Sequence, residues 1–133
     1  MACGMIGTIT DSVPRIYIAI ENPLLGKRYP SHGLVQAIID TAYEGFLAVP
    51  DSVFTELGLH ELVARRFSLI MPTGAAIEAF AAYATIRVGN RAVDGLVETF
   101  YGLDEIVAGA ELLSKLRVII DYNKGAVTLA GNG

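Results

Sequence analysis

Residues 36–50 of the chain read QAIIDTAYEGFLAVP, and this stretch decides how the rest of the sequence is interpreted. An apolar run, residues 37–39, leads into Asp40 and Thr41, and a second apolar run follows at residues 46–49. Apolar runs on both sides predict that Asp40 lies in a rigid, partly buried turn between two strands. Burying a carboxylate is costly unless the group is paired, hydrogen-bonded or protonated. We therefore expect Asp40 either to brace a loop or to take part in chemistry.

The composition indicates one domain that keeps some apolar surface exposed after folding. The chain has 133 residues, and 53% of them are hydrophobic. A chain of this length builds one core, so we expect a single domain over residues 1–133, with residues 1–4 flexible. So high an apolar content leaves apolar surface exposed on the folded chain, which predicts an oligomer.

Charge, cysteine and histidine content argue against several functional classes. The formal net charge is −4, whereas nucleic acid and anionic membranes require a basic face, so neither is expected as a partner. A single cysteine, Cys3, and the absence of a leader-like start suit a reducing compartment, and we expect a cytoplasmic protein. His60 and Glu61 begin like a zinc-protease helix, but Ala64 stands where the second histidine is needed. No metal site and no cofactor are expected.

Short apolar runs alternate with turn-forming residues along the chain, which predicts an all-β fold with two short helices. Turn formers concentrate in residues 21–33, and this segment is predicted to be a surface loop. One helix is predicted from Asp51, as its cap, to a stop at Gly58, and the other over residues 110–116. The predicted strands are residues 5–10, 14–20, 34–39, 46–49, 62–71, 91–100, 117–122 and 126–130.

One segment, residues 75–84, allows two interpretations. Its sequence, AAIEAFAAYA, consists of strong helix formers with apolar residues on one helical face. Against a helix, a Pro-Thr-Gly turn precedes it, and the strand-like residues 83–88 lead to a hairpin signal at Gly89 and Asn90. We expect a long hairpin.

These features resemble the retropepsin-like aspartic peptidases, in particular the small single-domain prokaryotic members. In that family an apolar strand enters Asp-Thr/Ser-Gly, as residues 37–42 do here, and a Phe-Leu-x-x-Pro exit is common, as in residues 46–50. A hairpin flap corresponds to about residues 66–83, and an apolar-apolar-Gly segment before a helix corresponds to residues 106–109. The likeness runs from about Met5 to Ala130. It implies an acid-protease barrel with one lobe per chain, paired as a homodimer.

The resemblance implies an aspartic endopeptidase. Each chain of the homodimer would supply one Asp40, and the two carboxylates would hold one water as general base and general acid on the peptide carbonyl. Thr41 would brace the two turns, with Ala42 completing the motif. Substrate-binding residues would be Tyr43, Glu44 and Gly109, together with the flap tip. The tip consists of Met71, Pro72, Thr73 and Gly74. The implied partners are a second copy of the chain and a peptide or protein substrate.

Three residues depart from the family pattern. Ala42 replaces the usual glycine, which costs roughly 1 to 2 kcal/mol if its φ is positive and little if φ is negative. Tyr43 is bulkier than the small residue of viral members and is expected to fill a subsite, and Ala110 stands where they carry arginine. The alternative interpretation is a dimeric peptide- or protein-binding module with little or no proteolysis. A third is a small β-rich oligomer in which Asp40 caps a turn.

Overall fold

A computed structural model describes residues 4–130 of the chain. Over this range the chain forms eleven strands and two short helices, which confirms the predicted all-β class. The strands are β1 (Gly4–Thr10), β2 (Val13–Asn22), β3 (Lys27–Tyr29), β4 (Val35–Ile39), β5 (Leu47–Ala48), β6 (Arg65–Ile70), β7 (Ala76–Val88), β8 (Arg91–Phe100), β9 (Val107–Ala108), β10 (Val118–Asp121) and β11 (Ala126–Leu129). The helices are α1 (Asp51–Glu56) and α2 (Ala110–Ser114), and a 3₁₀ turn covers Leu59–Glu61. Residues 1–4 were expected to be flexible, and of these only Gly4 lies within the described range. Gly4 pairs with Leu129.

The strands form one mixed sheet that closes on itself. Its order is β10-β11-β1-β2-β4-β9-β5-β8-β7-β6, with β3 beside β2. An additional pairing joins β2 to β7, so that β2, β4, β9, β5, β8 and β7 form a ring. Closing a sheet in this way removes the free edges of its strands and encloses a core. The side chains of Ile16, Ile18, Phe46 and Phe54 are among those fully buried inside it.

The long hairpin predicted for residues 75–84 is confirmed. β7 pairs with β6 from Ala76 to Ala81 and with β8 from Ala79 to Val88, so its central residues are bonded on both sides. The helix propensity of the alanines is overridden because these two ladders satisfy the backbone of β7 and bury Ala79, Ala81 and Ala82.

Four local predictions were wrong or misplaced. Residues 21–33 are not one loop, because the chain reverses after Asn22 and returns as β3, with Tyr29 opposite Ile20. Asp51 is the first residue of α1 rather than its cap; Pro50 takes the cap position without a side-chain bond. Strand β6 begins three residues later than predicted, after the 3₁₀ turn and its C-cap at Leu62, and α2 ends at Ser114 instead of residue 116. The predicted stop at Gly58 is confirmed by its left-handed φ of 71°.

None of the helices in residues 4–130 has the length and the apolar content needed to cross a membrane.

Candidate active site at the Asp40 turn

Asp40 follows directly after β4, one of the central strands of the ring. β4 lies parallel to β9, with Ile38 opposite Val107 and Ile39 opposite Ala108. The Asp40 N–H continues this ladder by donating to the Ala108 carbonyl at 3.0 Å. The backbone of Asp40 is therefore fixed to the middle of the barrel although the residue itself stands at the end of a strand.

The turn after Asp40 orients its carboxylate. The Ala42 N–H donates to Asp40 Oδ1 at 2.9 Å, and the Tyr43 N–H donates to the Asp40 carbonyl at 3.2 Å. A side-chain oxygen that accepts from the amide two residues on is an Asx turn, a geometry that restricts the carboxylate to one direction.

The predicted burial of Asp40 was wrong for the single chain. Asp40, Thr41 and Ala42 are all exposed, whereas Ile39 and Phe46 on either side of the turn are buried. The flanking apolar side chains face the core, and the turn between them carries Asp40 out to the surface. The carboxylate is thus presented to solvent on a rigid support.

The backbone of Ala42 is unstrained. Among residues 4–130, the non-glycine residues with positive φ are Asp11 and Ser12, in the turn between β1 and β2. Ala42 therefore lies outside the left-handed region that favours glycine. The sequence left open whether the φ of Ala42 is positive or negative. It is not positive, so replacing glycine by alanine costs the backbone little.

The Asp40 turn is bonded to the start of α2. The N–H groups of Gly109, Ala110 and Glu111 donate to the carbonyls of Phe46, Tyr43 and Gly45 at 3.0, 2.8 and 3.1 Å. Gly109 is buried at this contact, and a Cβ added to it would lie 2.1 Å from the Gly45 oxygen. Only glycine allows this approach without displacement of the turn.

Tyr43 packs back onto the turn. A Cβ at Gly45 would lie 2.4 Å from the Tyr43 hydroxyl oxygen, and one at Gly109 would lie 2.6 Å from the ring, so the ring rests against both glycines. The hydroxyl donates to Glu98 Oε1 at 2.5 Å. Burial, and secondly the Glu98 carboxylate, raise the pKa of Tyr43 far above its usual range, so the hydroxyl stays protonated.

The remaining predicted site residues are exposed or lie at the hairpin tip. Glu44 is exposed beside the turn. Met71 is half-buried, and Pro72, Thr73 and Gly74 are exposed between β6 and β7. The Met71 N–H donates to the Ala75 carbonyl at 2.9 Å, and Gly74 has a φ of 89°, so the tip is a closed turn.

Two open grooves lie next to Asp40 along the chain. One, of about 460 Å³, begins at Thr41 and is lined mainly by apolar residues of α2 and β10, including Leu113, Leu116, Val118 and Ile119. The other, of about 470 Å³, includes Ile38, Arg15 and Glu105, with the last two paired at 3.7 Å. Ile38, in β4, precedes Asp40 by two residues.

Sequence reasoning missed Glu98, the partner of the Tyr43 hydroxyl. It is separated from Tyr43 by 55 residues, and an isolated acid in a strand gives no signal of its partner. In residues 4–130, no group of three or more histidine, cysteine, aspartate or glutamate side chains is placed to hold a metal ion.

Comparison with known proteins finds similarity both by sequence and by structure. No protein-family model matches the chain. An uncharacterized protein of Archaeoglobus fulgidus is 42% identical over 114 residues, which cover 84% of this chain and 89% of that protein.

Two of the solved structures that match are proteases, and they share the fold at low sequence identity. A retropepsin-like aspartic protease from Rickettsia conorii has a TM-score of 0.62 and 16% identity, covering 96% of this chain and 89% of its own. The EIAV protease complexed with the inhibitor HBY-793 has a TM-score of 0.55 and 14% identity, covering 79% and 88%. The chain belongs to the same family as the Archaeoglobus fulgidus protein, and its fold is that of the retropepsin-like aspartic proteases.

Proposed function

We propose that the protein is a homodimeric aspartic endopeptidase in which the Asp40 carboxylates of two chains form the catalytic dyad. The observation that carries the proposal is the Asp40 turn itself. On a retropepsin fold, it presents an exposed carboxylate that the Ala42 N–H orients at 2.9 Å, with its backbone bonded to Ala108. A preorganised carboxylate of this kind is what general acid-base catalysis requires.

The chemistry follows from bringing two such carboxylates together. At about 4 Å and an effective dielectric near 20, two negative charges repel by roughly 4 kcal/mol, on the order of three pKa units. The pair therefore holds one proton between its two members over a wide pH range. The ionised carboxylate removes a proton from the bound water as it attacks the peptide carbonyl, and the protonated one donates to the carbonyl oxygen.

The second copy of the chain is proposed to cover the surface around Asp40. Each chain carries one Asp-Thr motif, so a dyad requires two chains. The groove that begins at Thr41 is mainly apolar, and Ile119 in it is 45% exposed in the single chain. Burying such a surface against a second copy is favourable and would exclude water from the dyad.

The substrate is proposed to be a peptide or protein chain that lies across Asp40. The groove at Ile38 provides apolar and charged contacts close to the dyad, and the hairpin tip at Met71–Gly74 would close over the bound segment. Glu44 is exposed beside the turn, where it can accept an amide N–H of the substrate. With its single cysteine the chain suits a reducing compartment, and the cytoplasm is its proposed location.

The alternative of a non-proteolytic binding module was based on Ala42. Its φ is not positive, so the methyl group imposes no backbone strain on the turn. We therefore propose catalysis, with Ala42 as a tolerated replacement for glycine.

The test is cleavage of an unbiased peptide mixture between about pH 3 and pH 7, the range in which a shared carboxylate proton is held. Wild-type protein is compared with Asp40→Asn and with Asp11→Asn, a matched change at an exposed residue of the β1–β2 turn. Cleavage by the wild type and by Asp11→Asn, with none by Asp40→Asn, is expected. Cleavage that survives in Asp40→Asn would exclude the dyad.

A further inference from the structure

We propose that Tyr43 is a positioning residue, which holds the Asp40 turn against β8 through its hydrogen bond to Glu98, and is not part of a substrate subsite. The inference rests on the proposed function for its catalytic meaning. The hydrogen bond that joins the turn to β8 does not depend on that function.

The Tyr43 ring packs between the Asp40 turn and the start of α2. It rests against Gly45 and Gly109, at distances where a methyl group on either glycine would collide with it. The bond from the Glu111 N–H to the Gly45 carbonyl joins the turn and α2 at the same place. The ring therefore fills space within the turn, and a substrate side chain cannot occupy that space.

The partner of the Tyr43 hydroxyl, Glu98, is held firmly in the sheet. Glu98 lies in β8 between β5 and β7, with Ala48 and Ala81 as its opposite residues. Its carbonyl accepts from the Val49 N–H at 2.9 Å, so its backbone is fixed. A hydrogen bond from a hydroxyl to a carboxylate is among the stronger kinds, and at 2.5 Å this one is short.

The backbone of Tyr43 is bonded both to Asp40 and to α2. The Tyr43 N–H donates to the Asp40 carbonyl at 3.2 Å, and the Tyr43 carbonyl accepts from the Ala110 N–H at 2.8 Å. Tyr43 thus joins three elements, namely the Asp40 turn, α2 and β8. Its hydroxyl adds a side-chain link to β8 beside the backbone bonds that join the turn to Ala108 and α2.

The Tyr43 hydroxyl stays protonated. Burial first, and then the hydrogen bond and charge of Glu98 and the charge of Glu111, raise the pKa of Tyr43 above its usual range. The hydroxyl is therefore a donor to Glu98 between about pH 3 and pH 7, the range in which cleavage is to be tested.

The decisive experiment is amide hydrogen exchange on the full chain, comparing wild type with Tyr43→Phe, Glu98→Ala and Glu98→Gln. Tyr43→Phe and Glu98→Ala remove the bond, and we expect exchange over residues 41–45 to be roughly 10- to 100-fold faster, with β1 and β11 unchanged. Glu98→Gln keeps an acceptor and should restore slow exchange. Tyr17→Phe is the matched control. It removes a hydroxyl that accepts a long hydrogen bond from Gln36 at 3.5 Å, and it should leave exchange over residues 41–45 unchanged.

Kinetics of peptide cleavage separate positioning from substrate binding. Tyr43→Phe is expected to lower kcat by roughly tenfold or more, with KM and the preferred cleavage positions unchanged. Unchanged exchange over residues 41–45 in Tyr43→Phe would overturn the inference, as would a changed KM or cleavage preference without faster exchange. If the wild type cleaves nothing, the proposed function fails, and the exchange data still decide whether Tyr43 anchors the turn.

Discussion

Asp40 and Ala108 are joined across two parallel strands, with the Asp40 N–H 3.0 Å from the Ala108 carbonyl. Ala108 is followed by Gly109, so the segment that fixes the backbone of Asp40 also provides the buried glycine beneath Tyr43. The Asp40 turn is therefore supported by a second, distant segment of the chain, and each part of that support makes a prediction.

Gly109→Ala should destabilise the fold. The new methyl group would lie 2.1 Å from the Gly45 oxygen and 2.6 Å from the Tyr43 ring, so the turn must move. Overpacking of this kind costs about 2 kcal/mol or more, which urea denaturation would measure. Gly4→Ala, where nothing lies within 4 Å, is the control and should change the free energy of unfolding little. Equal stability of the two variants would contradict the described contact.

Ala42→Gly should lower stability slightly and leave cleavage unchanged. Because the φ of Ala42 is not positive, glycine gains nothing there and adds flexibility to the unfolded chain, at about 0.5 to 1 kcal/mol. Thermal unfolding and peptide cleavage measure the two effects. A large gain in activity would show instead that the Ala42 methyl obstructs the dyad.

Tyr43→Phe should alter the alkaline limb of the stability curve. Burial raises the pKa of Tyr43 in the folded chain above its ordinary value of 10.0. The contribution of the protonated hydroxyl to stability is therefore complete below pH 10 and is lost as the pH rises from there through the pKa of the folded chain. Above pH 10, the difference in free energy of unfolding between wild type and Tyr43→Phe should therefore shrink, by at most about 1.4 kcal/mol per pH unit. The loss should be smaller than this limit because Tyr43 is only half-buried. Urea denaturation from about pH 9 to pH 11 measures the free energy of unfolding of both proteins, and the difference between them must narrow as the pH rises. A difference that widens with pH would mean that the pKa of Tyr43 is lowered, not raised, in the folded chain.

Ile119→Asp should weaken the dimer without unfolding the chain. Ile119 is exposed in the groove that begins at Thr41, and a carboxylate buried there against a second copy would be unpaired. We expect the dissociation constant of the dimer, measured by sedimentation, to rise at least about tenfold. Peptide cleavage should be lost at low protein concentration, where the dimer dissociates, and return at high concentration. Leu24→Asp, at a residue 79% exposed between β2 and β3, is the matched control. An unchanged dimer in Ile119→Asp would exclude this face as the interface.

Much of the fold was readable from local sequence. The all-β class, the long hairpin of β6 and β7, and the strand that enters Asp40 followed from alternation and turn residues, signals that act over a few positions. The return of β3 was missed because three residues carry too short a pattern, and the exposure of Asp40 because apolar neighbours do not reveal which way a turn faces. The bond between Tyr43 and Glu98 was missed because only the closed sheet brings β8 beside the turn.

The most direct test of the shared dyad is activity in mixed dimers. Wild-type and Asp40→Asn chains, distinguished by a tag, are unfolded together, refolded at equal amounts, and assayed for peptide cleavage. If each site needs Asp40 from both chains, random pairing leaves about one quarter of the dimers active, so activity falls to about one quarter of the wild-type value. If each chain had a complete site of its own, activity would fall only to about one half, and the shared dyad would be contradicted.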